Sequence, residues 1–166
     1  MNAENTDTVT SGTTAGPQYG LWALLLLSFG LLGFIFYDGL ELMVQWWERD
    51  EYSHGYMIPM VALFLVWQKQ QGLPERIGKG GWLAIPALLV GVFLFFLGEL
   101  SALYTIIQYG FLLSLYALIV AFMGWRATWF IWAALAYLIF MIPLPNFLYN
   151  NLSNELQLIS SELGVA

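Results

Sequence analysis

Apolar residues in this chain come in long runs broken by short polar stretches, and the lengths of those runs set the expected architecture. Residues 21–37 are almost wholly apolar and end at Asp38 and Gly39, after which Glu41, Gln45 and the Trp46–Trp47 pair mark an interface. At ~1.5 Å per helical residue, roughly 17 residues is the short limit for crossing ~30 Å of hydrocarbon. The second run, residues 56–67, is shorter still. It either crosses, with Ser53, His54 and Gln68-Lys69-Gln70 reaching the headgroups or the bilayer thinning locally, or it is re-entrant. Pro59 is tolerated in its first turn, where a missing N–H has no intrahelical partner to lose. Residues 68–81 are polar and punctuated by Gly72, Pro74, Gly78, Gly80 and Gly81, so they read as a loop. Three further runs follow at residues 82–98, 103–123 and 127–142. Their connections, Glu99-Leu100-Ser101 and Gly124-Trp125-Arg126, are short enough to force antiparallel neighbours. The expected fold is all-α, a polytopic transmembrane helix bundle of about five spans.

After residue 142 the pattern changes. Ile142-Pro143-Leu144-Pro145 stops the fifth run, because prolines so spaced push the residues before them out of helical geometry. Leu148, Leu152, Leu156, Ile159 and Leu163 then recur at helical spacing among Asn, Ser, Glu and Gln. Residues 146–166 are therefore expected to form an outward-facing amphipathic helix, on the outer surface or in the mouth of the bundle, with its apolar stripe buried. It serves either as a packing helix with a solvated back or as a surface that touches substrate. At the other end, residues 1–20 are rich in Asn, Thr, Ser and Gly and are expected to be a disordered tail. They lack a basic leader region, so the run behind them reads as a retained span. The chain thus divides into a tail (1–20), a multi-span transmembrane region (21–145) and an amphipathic helix (146–166).

Composition agrees with the run lengths. Hydrophobic residues make up 60% and charged residues 10%, and the mean hydropathy is +0.70, which is the composition of a membrane protein. A net charge of −6, with no basic patch interleaved with aromatics, argues against a nucleic-acid partner. There is no cysteine, so disulfides, thiolate nucleophiles and thiolate metal sites are excluded within these residues. If every run crosses, Lys69, Arg76, Lys79 and Arg126 share one side, while the other carries Arg49 alone among Asp38, Glu41, Glu48, Asp50, Glu51 and Glu99. The positive-inside rule puts the first side in the cytoplasm. In a bacterium with two membranes this is an inner-membrane protein whose 48–55 loop and C-terminal helix face the periplasm.

Candidate chemistry gathers in that loop, where Glu48-Arg49-Asp50-Glu51-Tyr52-Ser53-His54-Gly55 gives way to the second apolar run. His54 is the only histidine in the chain. Tyr52, Ser53 and His54 are the candidate supporting site; a solvated acidic loop is the alternative. Ser53 and His54 are neighbours in sequence, an arrangement in which hydroxyl and imidazole seldom meet as nucleophile and base. Asp50, Glu51 and His54 are too loosely spaced to assign a metal, and no cofactor is indicated.

Tyr52-Ser53-His54-Gly55 leading into Pro59 and Trp67, together with Ile142-Pro143-Leu144-Pro145, Leu148, Leu152-Ser153, Leu156-Gln157 and Ser160-Ser161, resembles the N-terminal part of the exosortases. These are bacterial polytopic membrane enzymes related to archaeosortases, and the likeness runs from about residue 21 onward. The resemblance implies a cysteine transpeptidase or endopeptidase. Its partners would be the lipid bilayer and exported proteins bearing a C-terminal sorting signal: a Pro-Glu-Pro motif, a hydrophobic helix and a basic tail. It also implies a link to exopolysaccharide and biofilm matrix. The implied nucleophile is a cysteine assisted by arginine and histidine in segments beyond the amphipathic helix, and none of these maps onto a residue here. On this reading the chain is an N-terminal portion of such an enzyme, or a truncated gene product, with no catalytic residue of its own. A non-enzymatic membrane subunit of a transport or polysaccharide-export system is the alternative.

The charge asymmetry makes a prediction about topology. Reporter fusions after Gln71 and Arg126 are expected to behave as cytoplasmic, and fusions at Asp50 and Asn154 as periplasmic. Identical behaviour at Gln71 and Asp50 would show that the second run does not cross.

Overall fold

The computed structural model describes residues 16–78, 80–143 and 146–165, with side chains described from residue 23 to residue 164 apart from residues 79 and 144–149. Among the described residues all regular structure is helical. The helices are α1 (Gly16–Ile35), α2 (Tyr37–Trp47), α3 (Met57–Gln68), α4 (Ala84–Ser101), α5 (Tyr104–Met123), α6 (Trp125–Phe130), α7 (Trp132–Tyr137) and α8 (Asn146–Val165). Short 3₁₀ turns at Asp50–Tyr56, Gln70–Gly72, Pro74–Arg76 and Leu138–Met141 lie between them.

The all-α expectation holds among the described residues, but the count of about five spans is not confirmed. Among the described residues two helices, α4 and α5, are long and apolar enough to cross a membrane, and there are three candidate spans if α1 and α2 act as one bent unit. Hydropathy counts apolar residues along the chain, whereas crossing requires them along one axis. The chain bends by 73° between α1 and α2, around a Phe36 side chain that is 1% exposed and edge-on to Phe95 and Phe111 at 5.1 and 5.8 Å. The run at residues 127–142 is likewise divided at Ile131 into α6, α7 and a 3₁₀ turn, leaving an apolar stretch, Trp132–Met141, below spanning length. Helix α3 has twelve residues, or ~18 Å of axis against ~30 Å of hydrocarbon.

The α4–α5 hairpin is the centre of the bundle. Helices in lipid gain little from hydrophobicity, because lipid tails are as apolar as leucine, so close packing of small residues has to hold them together. Gly91 of α4 faces Gly110 and Ser114 of α5, which are one turn apart. A Cβ at Gly91 would overlap the Ser114 hydroxyl and lie 3.0 Å from the Gly110 carbonyl oxygen, and a Cβ at Gly110 would lie 2.8 Å from the Gly91 carbonyl oxygen. The helices are joined through Ala102 and Leu103. Ala102 adopts the left-handed conformation with φ of 52°, which lets Leu103 N–H donate to the Gly98 carbonyl at 3.1 Å.

The other elements dock on this hairpin. Gly39 of α2 approaches Ile107 so closely that a Cβ would come within 2.6 Å of its Cγ2. Beside it the Gln108 carboxamide, 2% exposed, donates to the Gly39 carbonyl at 3.1 Å. At the far end of α5, Gly124 with φ of 80° turns the chain into α6. There the loop before α4 caps α5, with Gly78 and Gly81 N–H donating to the Met123 and Val120 carbonyls.

Two expectations for the ends of the chain change. Residues 16–20 of the expected disordered tail belong to α1, while residues 1–15 lie outside the described residues. The apolar stripe of α8 is not buried: Leu152, Leu156, Ile159 and Leu163 are all more than half exposed. No described element packs behind this face, so within these residues α8 rests on backbone hydrogen bonding. Of the expected Pro143-Leu144-Pro145 break, Leu144 and Pro145 lie outside the described residues.

The glycine contact and the left-handed alanine give opposite predictions. Gly91→Leu is expected to destabilise the protein by about 1–3 kcal/mol or more through overpacking. Ala102→Gly is expected to stabilise it by roughly 1 kcal/mol through relief of the left-handed strain. Thermal unfolding in detergent measures both, with lipid-facing Phe93→Leu as a control expected to stay within ~0.5 kcal/mol.

Candidate functional site

The site is built around Trp47, the last residue of α2. Its indole is 7% exposed and its Nε1–H donates to the Met141 carbonyl, 94 positions later, at 2.9 Å. The ring can sit there only because residue 55 is glycine: a Cβ at Gly55 would overlap the indole. Tyr56 closes the other side, edge-on to Trp47 at 5.2 Å. Trp47 thus clamps the Asp50–Tyr56 turn to the Leu138–Met141 turn. Around the clamp, Met43, Ile58, Leu112, Met141 and Ile142 form a buried cluster that Tyr52 partly joins. Tyr52 of the first sequence block and Ile142, the first residue of the second, both meet this cluster, whereas among the described residues the part of the second block on α8 does not pack here.

The polar residues ride on this apolar base. Tyr52 stands edge-on to Trp46 at 5.8 Å, and the Arg49 guanidinium lies 3.9 Å over the same Trp46 ring. His54 is exposed, its ring centroid 6.4 Å from that of Tyr52. Ser53 is exposed too, and its hydroxyl donates to the Asp50 carbonyl at 3.1 Å, not to His54. Tyr52 and His54 therefore share one patch, with Ser53 acting as a local turn brace. Among the described residues no three His, Asp or Glu side chains are close enough to hold a metal ion, so Asp50, Glu51 and His54 do not converge on one. The arrangement offers an imidazole and a phenol at the edge of an apolar wall, able to bind or to pass a proton, and no side chain within it is set up as a nucleophile.

Sequence reading placed Trp47 with Trp46 as an interfacial anchor. The structure separates them: Trp46 is half-buried under Arg49, while Trp47 is the buried clamp. The available signal was the spacing of Trp47 from Gly55, a large ring and a residue without a side chain flanking one short turn. Gln108 was also passed over as one more residue of an apolar run.

Trp47→Phe keeps an aromatic ring but gives up part of its volume and leaves the Met141 carbonyl without its donor, and is expected to cost about 1–3 kcal/mol or more in thermal unfolding. Gly55→Ala should destabilise by at least as much, whereas Ser53→Ala should stay within ~0.5 kcal/mol. Equal effects at Ser53 and Gly55 would contradict the clamp.

The family model of the transmembrane exosortases matches residues 46–166. No curated protein and no solved structure matches the chain. The match begins at the Trp46–Trp47 pair and includes both turns that Trp47 ties together. The chain belongs to the transmembrane exosortase family.

Proposed function

We propose that this chain is the membrane scaffold of an exosortase-type cysteine endopeptidase or transpeptidase, which processes C-terminal sorting signals of exported proteins in a system linked to exopolysaccharide and biofilm matrix. The observation that supports the reading is the Trp47 clamp, since it ties the turn that carries Tyr52 to Gly55 to the end of the Leu138–Met141 turn, where the second block of the resemblance begins at Ile142. Residues 1–166 contain no cysteine, so chemistry of this type requires a thiol from outside them. Tyr52 and His54 then act in support, presenting a hydrogen-bonding patch beside the place where the scissile segment is held. Lys69, at the opposite end of α3 from this turn, bonds the Phe130 carbonyl at 2.8 Å. With only ~18 Å of α3 between them, this reading puts the patch below the far membrane surface whenever Lys69 lies at the near one, a depth that suits the point where an extended signal peptide gives way to its hydrophobic helix. The reading places the patch toward the periplasm of a bacterial inner membrane.

The chain alone, in a host whose own exosortase is deleted, is expected to insert yet leave a sorting-signal substrate uncut, read by immunoblot for the size shift. Grafted in place of the matching segment of an active exosortase, residues 46–166 are expected to restore processing. In that chimera His54→Ala should lower processing by up to roughly 10²-fold if substrate positioning depends on it, and Ser53→Ala should leave it intact. Processing by the chain alone would overturn the scaffold reading; an indifferent His54→Ala would remove the patch from it.

A further inference from the structure

At the end of the bundle opposite the Ala102 turn, three depressions meet at Trp125. One is a groove of 590 Å³ walled by Pro86 and Val90 of α4, Leu113 and Ala117 of α5, Trp125 and Leu135, and its lining is almost wholly carbon. Its volume is in the range of sites that take small amphiphiles, about 300–1,000 Å³. The other two depressions mix polar and apolar surface and share Arg76, Arg126 and Trp125, with Glu75 the one carboxylate side chain in the lining of either. Trp125 and Trp129 stack at 6.2 Å beside them and are exposed, as amphipathic rings at headgroup level are.

The two arginines are differently held. The Arg76 Nη1–H donates to the Gly72 carbonyl at 2.6 Å and its guanidinium lies 4.1 Å over the Phe130 ring, so it is fixed in place with donors left over. Among the described residues Arg126 has no hydrogen-bond or ion-pair partner. Lys69 is already engaged with the Phe130 carbonyl. The apolar groove therefore adjoins, across Trp125, two depressions that hold both guanidinium groups, whose charge outweighs the single Glu75.

We infer that this groove is a binding site for an anionic phospholipid of the leaflet at the Arg76–Arg126 end, with an acyl chain along α4 and α5 and the phosphate between Arg76 and Arg126. Positive charge at the mouth decides the occupant. A zwitterionic lipid would offer a phosphate but also bring its own ammonium cation beside the guanidinium groups, and an apolar helix with a basic tail would set like charges against them. Basic side chains near a membrane surface each favour anionic headgroups by about 5-fold, so the pair gives roughly 30-fold over a zwitterionic lipid of the same chains. The inference is independent of the proteolytic reading, since it uses neither the Asp50–Tyr56 turn nor a thiol.

The test measures thermal unfolding of the full chain in detergent, titrated with phosphatidylglycerol or with phosphatidylcholine of identical acyl chains, and with soluble glycerol phosphate. Phosphatidylglycerol is expected to raise the midpoint at roughly 30-fold lower concentration than phosphatidylcholine, and glycerol phosphate to do nothing. Arg126→Gln should reduce the preference about 5-fold and Arg126→Lys should keep it. Ala87→Trp, which fills the groove from α4, should weaken both lipids alike. Equal response to the two lipids in the unaltered chain overturns the inference, whatever the variants do, and so does a preference unaffected by Arg126→Gln. A shift from glycerol phosphate alone would make this a phosphate site without a lipid. Displacement of phosphatidylglycerol by an apolar helical peptide with a basic tail, bound more tightly than the lipid, would assign the groove to a client helix instead.

Discussion

The approach of α4 to α5 at backbone distance is the constraint from which the rest of the molecule follows. In a lipid environment two leucine-rich helices have no reason to prefer each other over acyl chains, so their pairing has to come from shape. Gly91, Gly110 and Ser114 supply that shape, and Gly98 extends it one turn at a time toward Ala102 by leaving room for Ile107. Every other element reads its position from this hairpin. Ile107 and Gln108 receive the start of α2, Leu112 receives the Trp47 clamp, and the last carbonyls of α5 receive the glycine loop that precedes α4.

Polar groups inside the bundle are few and sit at irregularities of the helices. Gln108 reaches the Gly39 carbonyl just past the 73° bend, leaving its own side-chain oxygen and the Ser114 hydroxyl without partners among the described residues. An unpaired polar atom in an apolar interior is costly, and its energy is offset here by the packing around Phe36 and Gly91. The Trp47 indole meets the Met141 carbonyl just where the chain leaves helical geometry after α7. Such a carbonyl, freed from the helix, needs a donor from elsewhere, and the clamp supplies one.

Much of the helical content was legible because apolar run length is a strong signal. The runs at residues 82–98 and 103–123 correspond closely to α4 and α5, and the 3.6-residue stripe after Pro145 corresponds to α8. The number of spans was not legible, because the bend at Phe36 and the division at Ile131 leave no mark in hydropathy: neither position is a proline or a glycine, and what bends the chain is a ring packed between Phe95 and Phe111. At the candidate site, Tyr52, Ser53 and His54 were visible as polar residues at an apolar boundary. Their division of labour was not, since Ser53 turning back to Asp50 and Trp47 reaching Met141 depend on contacts across the fold. Arg76 and Arg126 give only a topological signal in sequence, because nothing there shows that these residues, before and after the hairpin, line the same depressions beside Trp125.

The burial of Trp47 also sets how the protein would look in emission. Of the eight tryptophans, Trp67, Trp82, Trp125, Trp129 and Trp132 are exposed on the bundle surface, where brominated or spin-labelled acyl chains can reach and quench them. Trp47, enclosed by Gly55, Tyr56 and the Leu138–Met141 turn, is shielded from such collisions. The light that survives quenching therefore comes disproportionately from the clamp, so an unmodified chain carries its own optical report on the one place where its two distant turns meet.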